Sequence, residues 1–455
     1  MVNHNCVKEM PDTTFMKTMV VSRVLLSVLI YFICLKVMAA PMDETAEKPN
    51  ILIIFTDDQG FADLGCYGSK TNKTPNMDQL AKDGTMFTNF YAQPVCGPSR
   101  SALLTGRYPI RSKGWDMPKE EITFGELIRG AGYQTACIGK WDVSNRKPII
   151  DRMPNAQGFD YYFGTLGAND NGSVRFHENN ILVDSTDDMA SLTRLYTDKA
   201  MDYLKNKRDK KKPFILYLAH TMMHTIIDAS PEFKGKSRGD LYGDVVEEFD
   251  HETGRLLNVV DALELRENTL IIYTTDNGPW NQSAYTEQKE GHPEGSIFWG
   301  NSGPLRNGKG SCYEGGSRVP CIISWPGKIE EDKVSNTIFA TVDFLPTFAH
   351  LAGFKVPEDR VIDGVNQTDL LVGRSTDGAR ETYYYQGNGV RNGKWKFLNA
   401  KHNVYSYARD KERIEVEELY NLESDIGESN NLADSYPEKI AELKILMKAI
   451  EEGEY

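Results

Sequence analysis

Apolar, β-branched runs that stop abruptly at polar residues constrain the fold of this chain more than any other feature. The segments "KPNILIIFTDDQG", "QTACIGKW", "KPFILYLAH", "TLIIYTTDNG" and "RVPCIISWPG" each read as a buried strand with a polar exit. Helical segments lie between them. Pro75 opens "NMDQLAKDG", which Gly84 closes, and "FGELIRG" precedes a Gly-rich turn. "LYGDVVEEFDHETGRLLNVVDALEL" gathers Val245, Val246, Phe249, Leu256, Leu257 and Val260 on one apolar face. This alternation predicts an α/β fold: a large, mostly parallel sheet sandwiched by helices. Ligands of such sheets sit beyond the carboxyl ends of the strands. Near residue 375 the pattern changes. "ETYYYQGNGVRNGKWKFLNA" has hairpin turns at "GNG" and "RNG", and "YPEKIAELKILMKAIEEG" is an amphipathic helix. The 455 residues therefore divide into an N-terminal segment 1–40, a main α/β domain 41–375 and a small C-terminal subdomain 376–455, an antiparallel sheet plus one helix.

The N-terminal segment reads as an export signal. Lys17 and Arg23 precede the apolar run "VLLSVLIYFICLKVM", and "VMAAP" offers small residues for cleavage near Ala39 or Ala40. The expectation is a periplasmic or secreted protein with no stable membrane anchor; an uncleaved anchor is the alternative, with Lys36 interrupting the apolar stretch. The chain has 52 Lys and Arg against 65 Asp and Glu, a formal charge of −13, which argues against a nucleic-acid partner. An anionic substrate must then be caught by a local cluster of cations. Seven cysteines become five once Cys6 and Cys34 leave with the signal, and an odd number in an exported chain implies a thiol in special use. Cys312 and Cys321 are near enough in sequence to pair. Sequons stand at Asn72, Asn171, Asn281 and Asn366.

Two strand exits carry paired polar groups, Asp57-Asp58 and Asp276-Asn277. Taken singly, either pair is ordinary turn chemistry. At the same edge of one sheet they form a hard-oxygen set suited to Ca²⁺ or Mg²⁺. Cationic groups occupy similar positions: Arg100, Lys140 after "ACIG", His224 after "ILYLAHTMM", and Lys309 in "RNGKGSCYEGG". Lys140 and Lys309 sit in Gly-flanked turns, a placement that suits a tetrahedral oxyanion beside a metal.

These segments, with "CGPSR" and "LLTGR", resemble the sulfatase family over nearly the whole mature chain. "CGPSR" matches the C-x-P-S-R signature, whose cysteine is oxidised to formylglycine (3-oxoalanine) by a formylglycine-generating enzyme during export. "FTDDQG", "GKW", "TDNG", "GPLRNGKGSCYEGGSRVP" and "ELYNLESDIGESNNLA" follow in the family's order. The resemblance implies an alkaline-phosphatase-like fold and hydrolysis of a sulfate ester, with a sulfated polysaccharide or oligosaccharide as substrate. It assigns one calcium ion to Asp57, Asp58, Asp276, Asn277 and the modified Cys96. Arg100 would stabilise the formylglycine, Lys140 and Lys309 would hold sulfate oxygens, and His224 would lie near the leaving oxygen. Hydrated formylglycine is a gem-diol: one hydroxyl attacks sulfur, and deprotonation of the other expels sulfate and regenerates the aldehyde. An ordinary serine lacks that exit.

One position departs from the family pattern. "GKWDVS" carries Asp142 where the family has a histidine that contacts the formylglycine hydroxyl. A carboxylate there can accept the diol proton or merely cap the following turn, and His220 or His177 could take the proton instead. Trp280, His292 and Trp299, in the segment between the second metal pair and Lys309, could stack on or bond to a sugar. A formylglycine phosphodiesterase or phosphonate hydrolase, and a non-catalytic glycan-binding protein, are the alternatives; the intact "CGPSR" speaks against the second.

Overall fold

Residues 48–455 of the computed structural model form one compact unit. The structure describes Met1 and residues 48–280, 297–402 and 415–455, so the export segment, the Asn281 sequon and His292 lie outside the described residues. Among the described residues no helix is long and apolar enough to cross a membrane.

An 11-stranded sheet forms the centre. Its strands are β1 (Asn50–Thr56), β2 (Thr85–Tyr91), β3 (Gln134–Lys140), β4 (Tyr161–Thr165), β5 (Val174–Glu178), β6 (Ile181–Thr186), β7 (Phe214–Ala219), β8 (Thr269–Thr275), β9 (Arg318–Ser324), β10 (Lys333–Ser335) and β11 (Phe339–Ala340). They run in the order β10-β2-β9-β8-β1-β7-β3-β4-β5-β6, with β11 also on β2. The central strands β8, β1, β7, β3 and β4 are parallel; β9 and β5 run against them, so the sheet is mixed. All seven residues of β1 are buried because both faces are covered. Ile51, Ile53 and Phe55 enter one core, and Leu52 and Ile54 the other. The long helix Asp240–Ala262 lays the expected apolar face, Val245 to Val260, on the second core. The sequence reading located β1, β3, β7, β8 and β9. It passed over β2, β4, β5 and β6, whose short, polar-interrupted runs carry no continuous apolar pattern.

A four-stranded antiparallel sheet follows: β12 (Thr382–Tyr384), β13 (Gly389–Asn392), β14 (Trp395–Leu398) and β15 (Glu418–Asn421). With the closing helix Pro437–Glu452 it builds a third core that also takes in Tyr91, Tyr108 and Tyr313. Deep in that contact, Glu314 accepts from Tyr91 Oη (2.6 Å), Tyr385 Oη (2.7 Å) and Lys396 Nζ (3.0 Å). Glu428 lies 2.7 Å from the same ammonium and accepts from the Glu314 amide.

Cys66, Cys96, Cys137, Cys312 and Cys321 form no disulfide with one another, so Cys312 and Cys321 do not pair. Cys321 is fixed within β9 opposite Phe87 and Thr274, whereas Cys312 belongs to the third core. The Asn72 amide is buried and donates to the Asp63 carbonyl; Asn171 and Asn366 are exposed.

Candidate active site

The parallel registers decide where the polar exits go. β1 and β8 pair from Asn50↔Thr269 to Thr56↔Thr275, so Asp57 and Asp276 leave the sheet side by side. β7 pairs Ala219 with both Phe55 and Gly139, which brings Lys140 and the segment 220–224 to the same edge. Cys96 is the first residue of the helix Cys96–Thr105, and Arg100 follows one turn later on it. The loop bearing Lys309 is stitched to both neighbours: Lys309 N donates to Pro279 O (2.9 Å) and Gly310 N to Pro94 O (2.8 Å). Two glycines permit this crowding. A Cβ on Gly139, whose φ is +110°, would stand 1.9 Å from Ala219 O, and one on Gly278 would stand 1.7 Å from Gly315 O. Asp58, Asp142 and Asn307 adopt φ of 58°, 55° and 62°, a left-handed backbone that non-glycine residues hold only where the surroundings enforce it.

The result is a buried lattice of charges, none of its members more than 4 % exposed. Lys140 Nζ lies 2.6 Å from Asp57 Oδ2, and Lys309 Nζ 2.7 Å from Asp58 Oδ1. Arg100 donates through Nε (3.0 Å) and Nη2 (2.8 Å) to Asp276 Oδ2, and through Nη1 to the Lys140 carbonyl (3.0 Å). Three carboxylates thus face three cations, the condition under which buried charge is tolerated. Burial alone would raise the Asp57 carboxyl, but Lys140, His224, Arg100 and Lys309 hold it below the usual carboxylate range. Burial and the Asp57 charge push Asp276 up to about 7 against Arg100. Burial raises the Cys96 thiol well above its ordinary value, in spite of Lys140 and Lys309.

A hard cation fits these residues. Ligating atoms of Asp57, Asp58, Cys96 and His224 lie within 4.8 Å of one another. Asn277 joins them, its Nδ2 donating to Asp58 Oδ1 at 2.7 Å. Asp57 Oδ1 and Asn277 Oδ1 are buried acceptors without a hydrogen-bond partner among the described residues, a costly state for such oxygens unless a cation satisfies them. Asp276 stands beside this set with both oxygens engaged, Oδ2 by Arg100 and Oδ1 by the Asp58 amide (3.3 Å).

His224 closes the site. Its Nδ1 meets the Thr225 carbonyl, leaving Nε2 3.5 Å from Asp170 Oδ1 and 3.7 Å from Asp58 Oδ2. Burial and Lys309 lower the imidazole, outweighing the carboxylates of Asp58, Asp57 and Asp170. Trp280 packs here, with Lys309 Nζ 4.8 Å from its ring centroid and the His224 ring at 6.0 Å.

Residues 49–354 match the family model described as Sulfatase, and residues 308–452 match the model of the N-sulphoglucosamine sulphohydrolase C-terminal region. The chain belongs to the sulfatase family. It is 35 % identical over 378 residues to N-acetylgalactosamine-6-sulfatase of Canis lupus familiaris, an overlap of 75 % of this chain and 69 % of the relative. Identity to the steryl-sulfatase of Homo sapiens is 31 % over 446 residues, 78 % and 75 % of the two chains. A solved structure from work on the metabolism of multiple glycosaminoglycans by Bacteroides thetaiotaomicron superposes with a TM-score of 0.77 at 28 % identity, over 90 % of this chain and all of the other. This sulfatase is therefore a sulfuric ester hydrolase built on a mixed, mostly parallel sheet flanked by helices, with a small antiparallel sheet behind it.

The residues singled out in the sequence of this sulfatase, Asp57, Asp58, Cys96, Arg100, Lys140, His224, Asp276, Asn277 and Lys309, meet at one sheet edge. Asp142 adjoins them: Oδ2 lies 3.5 Å from Lys140 Nζ and accepts from Trp115 Nε1 (3.3 Å), while Oδ1 accepts from Arg146 Nε (2.8 Å). His220 is interior, wedged edge-on between Tyr196 and Phe249, and burial drops its imidazole to about 3, so it is neutral. His177 lies on β5 and lines a cleft together with Arg146 and Asp170, and Trp299 packs against the second core. Sequence reasoning missed Arg146 and Asp170, which are joined by a 2.7 Å ion pair and reach the site through Asp142 and His224. The short β4 preceding Asp170 was the available signal, since Asp170 follows a parallel strand as the other site residues do.

Proposed function

We propose that this sulfatase cleaves a sulfate ester on a glycan, with a formylglycine made from Cys96 as nucleophile and one calcium ion held by Asp57, Asp58, Asp276, Asn277 and the modified residue 96. The observation that carries the reading is the meeting of Cys96 with the Asp57-Asp58 pair between Lys140 and Lys309. The glycan is supported by the relative named for N-acetylgalactosamine and by the structure from glycosaminoglycan metabolism. A buried thiol kept protonated is a poor nucleophile, which fits a cysteine destined for conversion by a formylglycine-generating enzyme on the way to the periplasm or the exterior. With the cation bound and Cys96 converted, that position supplies a nucleophilic hydroxyl.

The rest falls to side chains. Lys140 and Lys309 approach the sulfur centre from two sides and neutralise oxygens whose charge grows as the ester bond breaks. Arg100 braces Asp276 and, at 3.6 Å, Asp57, fixing the carboxylates that would hold the cation. His224, anchored at Nδ1 to the Thr225 carbonyl, turns Nε2 towards the leaving sugar oxygen, and it protonates that oxygen only after Nε2 has itself taken up a proton. Initial rates on a panel of desalted sulfated oligosaccharides, beside an aryl sulfate and an aryl phosphate diester, test the reading; faster hydrolysis of the phosphate diester overturns it.

Asp142 has two roles open to it, proton acceptor or brace. Both its oxygens already accept from neighbouring donors, so we expect the brace. Asp142→Asn keeps the shape and one acceptor. It should slow turnover less than about tenfold, as the loss of one charge-assisted contact would, with product appearing at a steady rate. A burst of alcohol product followed by slow turnover would instead identify Asp142 as the base that lets sulfate leave.

A further inference from the structure

The two residues missed in the sequence open onto a cleft of about 600 Å³ beside the reaction centre, walled by Arg146, Asp170, Arg175, His177 and Leu182. Arg146 is held at its mouth by two carboxylates, Asp142 Oδ1 on Nε (2.8 Å) and Asp170 Oδ2 on Nη1 (2.7 Å). Its backbone is left-handed, φ 55°, as is that of Asn145 before it, so the loop holds the side chain in one place. The guanidinium still has 41 % of its side-chain surface open, and its Nη2 donors meet no partner among the described residues. Asp142 and Asp170 offset the charge of Arg146. Arg175 has no such offset: it is exposed on β5 and makes no ion pair or side-chain hydrogen bond among the described residues. In a protein of formal charge −13, an uncompensated guanidinium next to the site that takes sulfate creates a local positive potential. The opposite hairpin strand is shaped to the same cleft. An extra residue, Val183, bulges from β6 between the pairs Phe176–Asp184 and His177–Leu182, and bulges of this kind re-aim neighbouring side chains.

We propose that this cleft is a specificity site for a second anionic substituent, a carboxylate or a further sulfate, on the sugar that carries the scissile ester or on the sugar next to it. Arg175 supplies the free charge, Arg146 a pre-set pair of donors, and Leu182 an apolar face for the ring. Guanidinium forks match both oxyanions, whereas a neutral sugar leaves the two donors unpaired. Asp142 and Asp170 are positioning residues: they aim Arg146 and tie it to Lys140 and His224, so filling the cleft and seating the ester are one act of binding.

The inference rests on the glycan-sulfatase reading, and its test separates the two. Three disaccharides sharing one scissile sulfate serve as probes: one with a uronate, one with that carboxylate reduced to the alcohol, and one neutral except for a second sulfate. The enzyme should favour at least one anionic form over the reduced form by about tenfold or more in kcat/KM, mainly through KM. A preference for the uronate alone assigns a carboxylate, and a preference for the doubly sulfated form alone assigns a sulfate. Arg175→Gln and Arg146→Gln should each shrink that ratio towards one. Arg146→Lys, which keeps the charge but not the fork, should recover only part of it. Equal kcat/KM on all three probes, or a ratio untouched in Arg175→Gln, overturns the proposal. If no sulfate ester is cleaved, the sulfatase mechanism has failed rather than the cleft. The cleft is then judged by calorimetric affinity for the uronate disaccharide, which Arg175→Gln must weaken about tenfold or the proposal falls.

Discussion

Replacing Cys96 with alanine is expected to abolish hydrolysis of an aryl sulfate, a loss of about 10³-fold or more, because on the proposed mechanism removing residue 96 as nucleophile leaves only binding and electrostatic assistance. The fold should survive. Cys96 is a buried residue at the first position of its helix, and alanine keeps the Cβ while deleting one sulfur atom, so the loss of stability should be about 1 kcal/mol. A thermal midpoint near that of the parent alongside absent turnover assigns the loss to chemistry. Cys96→Ser separates formylglycine from a plain hydroxyl. It offers one oxygen for attack but no second hydroxyl to expel sulfate, so at most one turnover per chain is expected. Mass spectrometry of the peptide spanning residues 94 to 100 of active enzyme should show loss of the thiol mass; a wholly unmodified peptide in active enzyme would refute the mechanism.

The second large effect concerns the cation. Exhaustive chelation should remove activity and lower the thermal midpoint, and calcium should restore both. A ligand bound by the native state alone at a hundred times its Kd adds about 2.7 kcal/mol. Two variants divide the site. Asn277→Ala removes the unpartnered Oδ1 at the loss of the Asn277 hydrogen bonds to Asp58 and Gly278, so it should blunt the response to calcium more than it harms the apo fold. Asp276→Ala also strips Arg100 of both its bonds to that carboxylate and leaves a buried guanidinium with the Lys140 carbonyl and with Asp57 at 3.6 Å, which costs about 3–5 kcal/mol in comparable buried pairs. That variant should be inactive and less stable with or without calcium. Activity unchanged by chelation would remove the metal from the mechanism.

How much of this could be read beforehand follows from how each residue is positioned. Asp57, Asp58, Lys140, Asp276 and Asn277 stand at the ends of long apolar strands, so the local pattern that marks the strand also marks the exit. That these exits meet is a matter of register, which no single segment states; it came from the topology rule for parallel sheets and from the family motifs. Arg146 and Asp170 were illegible for the opposite reason. One lies in a loop with no periodic pattern, the other beyond a five-residue strand, and they meet only through an ion pair across 24 positions of sequence. The small C-terminal sheet was visible through its turn residues, whereas its fourth strand, β15, sits well after the hairpin and carries no turn signal of its own.

The buried cluster around Glu314 moves the boundary of the catalytic unit away from where the sequence changes character. Lys309 is bracketed by Arg306 and Glu314. Arg306 is tied to the Glu428 carbonyl and the Tyr420 hydroxyl, and Glu314 to Lys396 and Tyr385, all four contributed by the last eighty residues. An enzyme shortened near residue 375 would retain Asp57, Asp58, Cys96, Lys140 and Asp276 yet lose the footing of Lys309, one of the two lysines proposed to hold sulfate. Lesions in those last eighty residues, including premature stop codons and proteolytic nicks, would then register as a failing grip on the proposed sulfate site before the central sheet gives way.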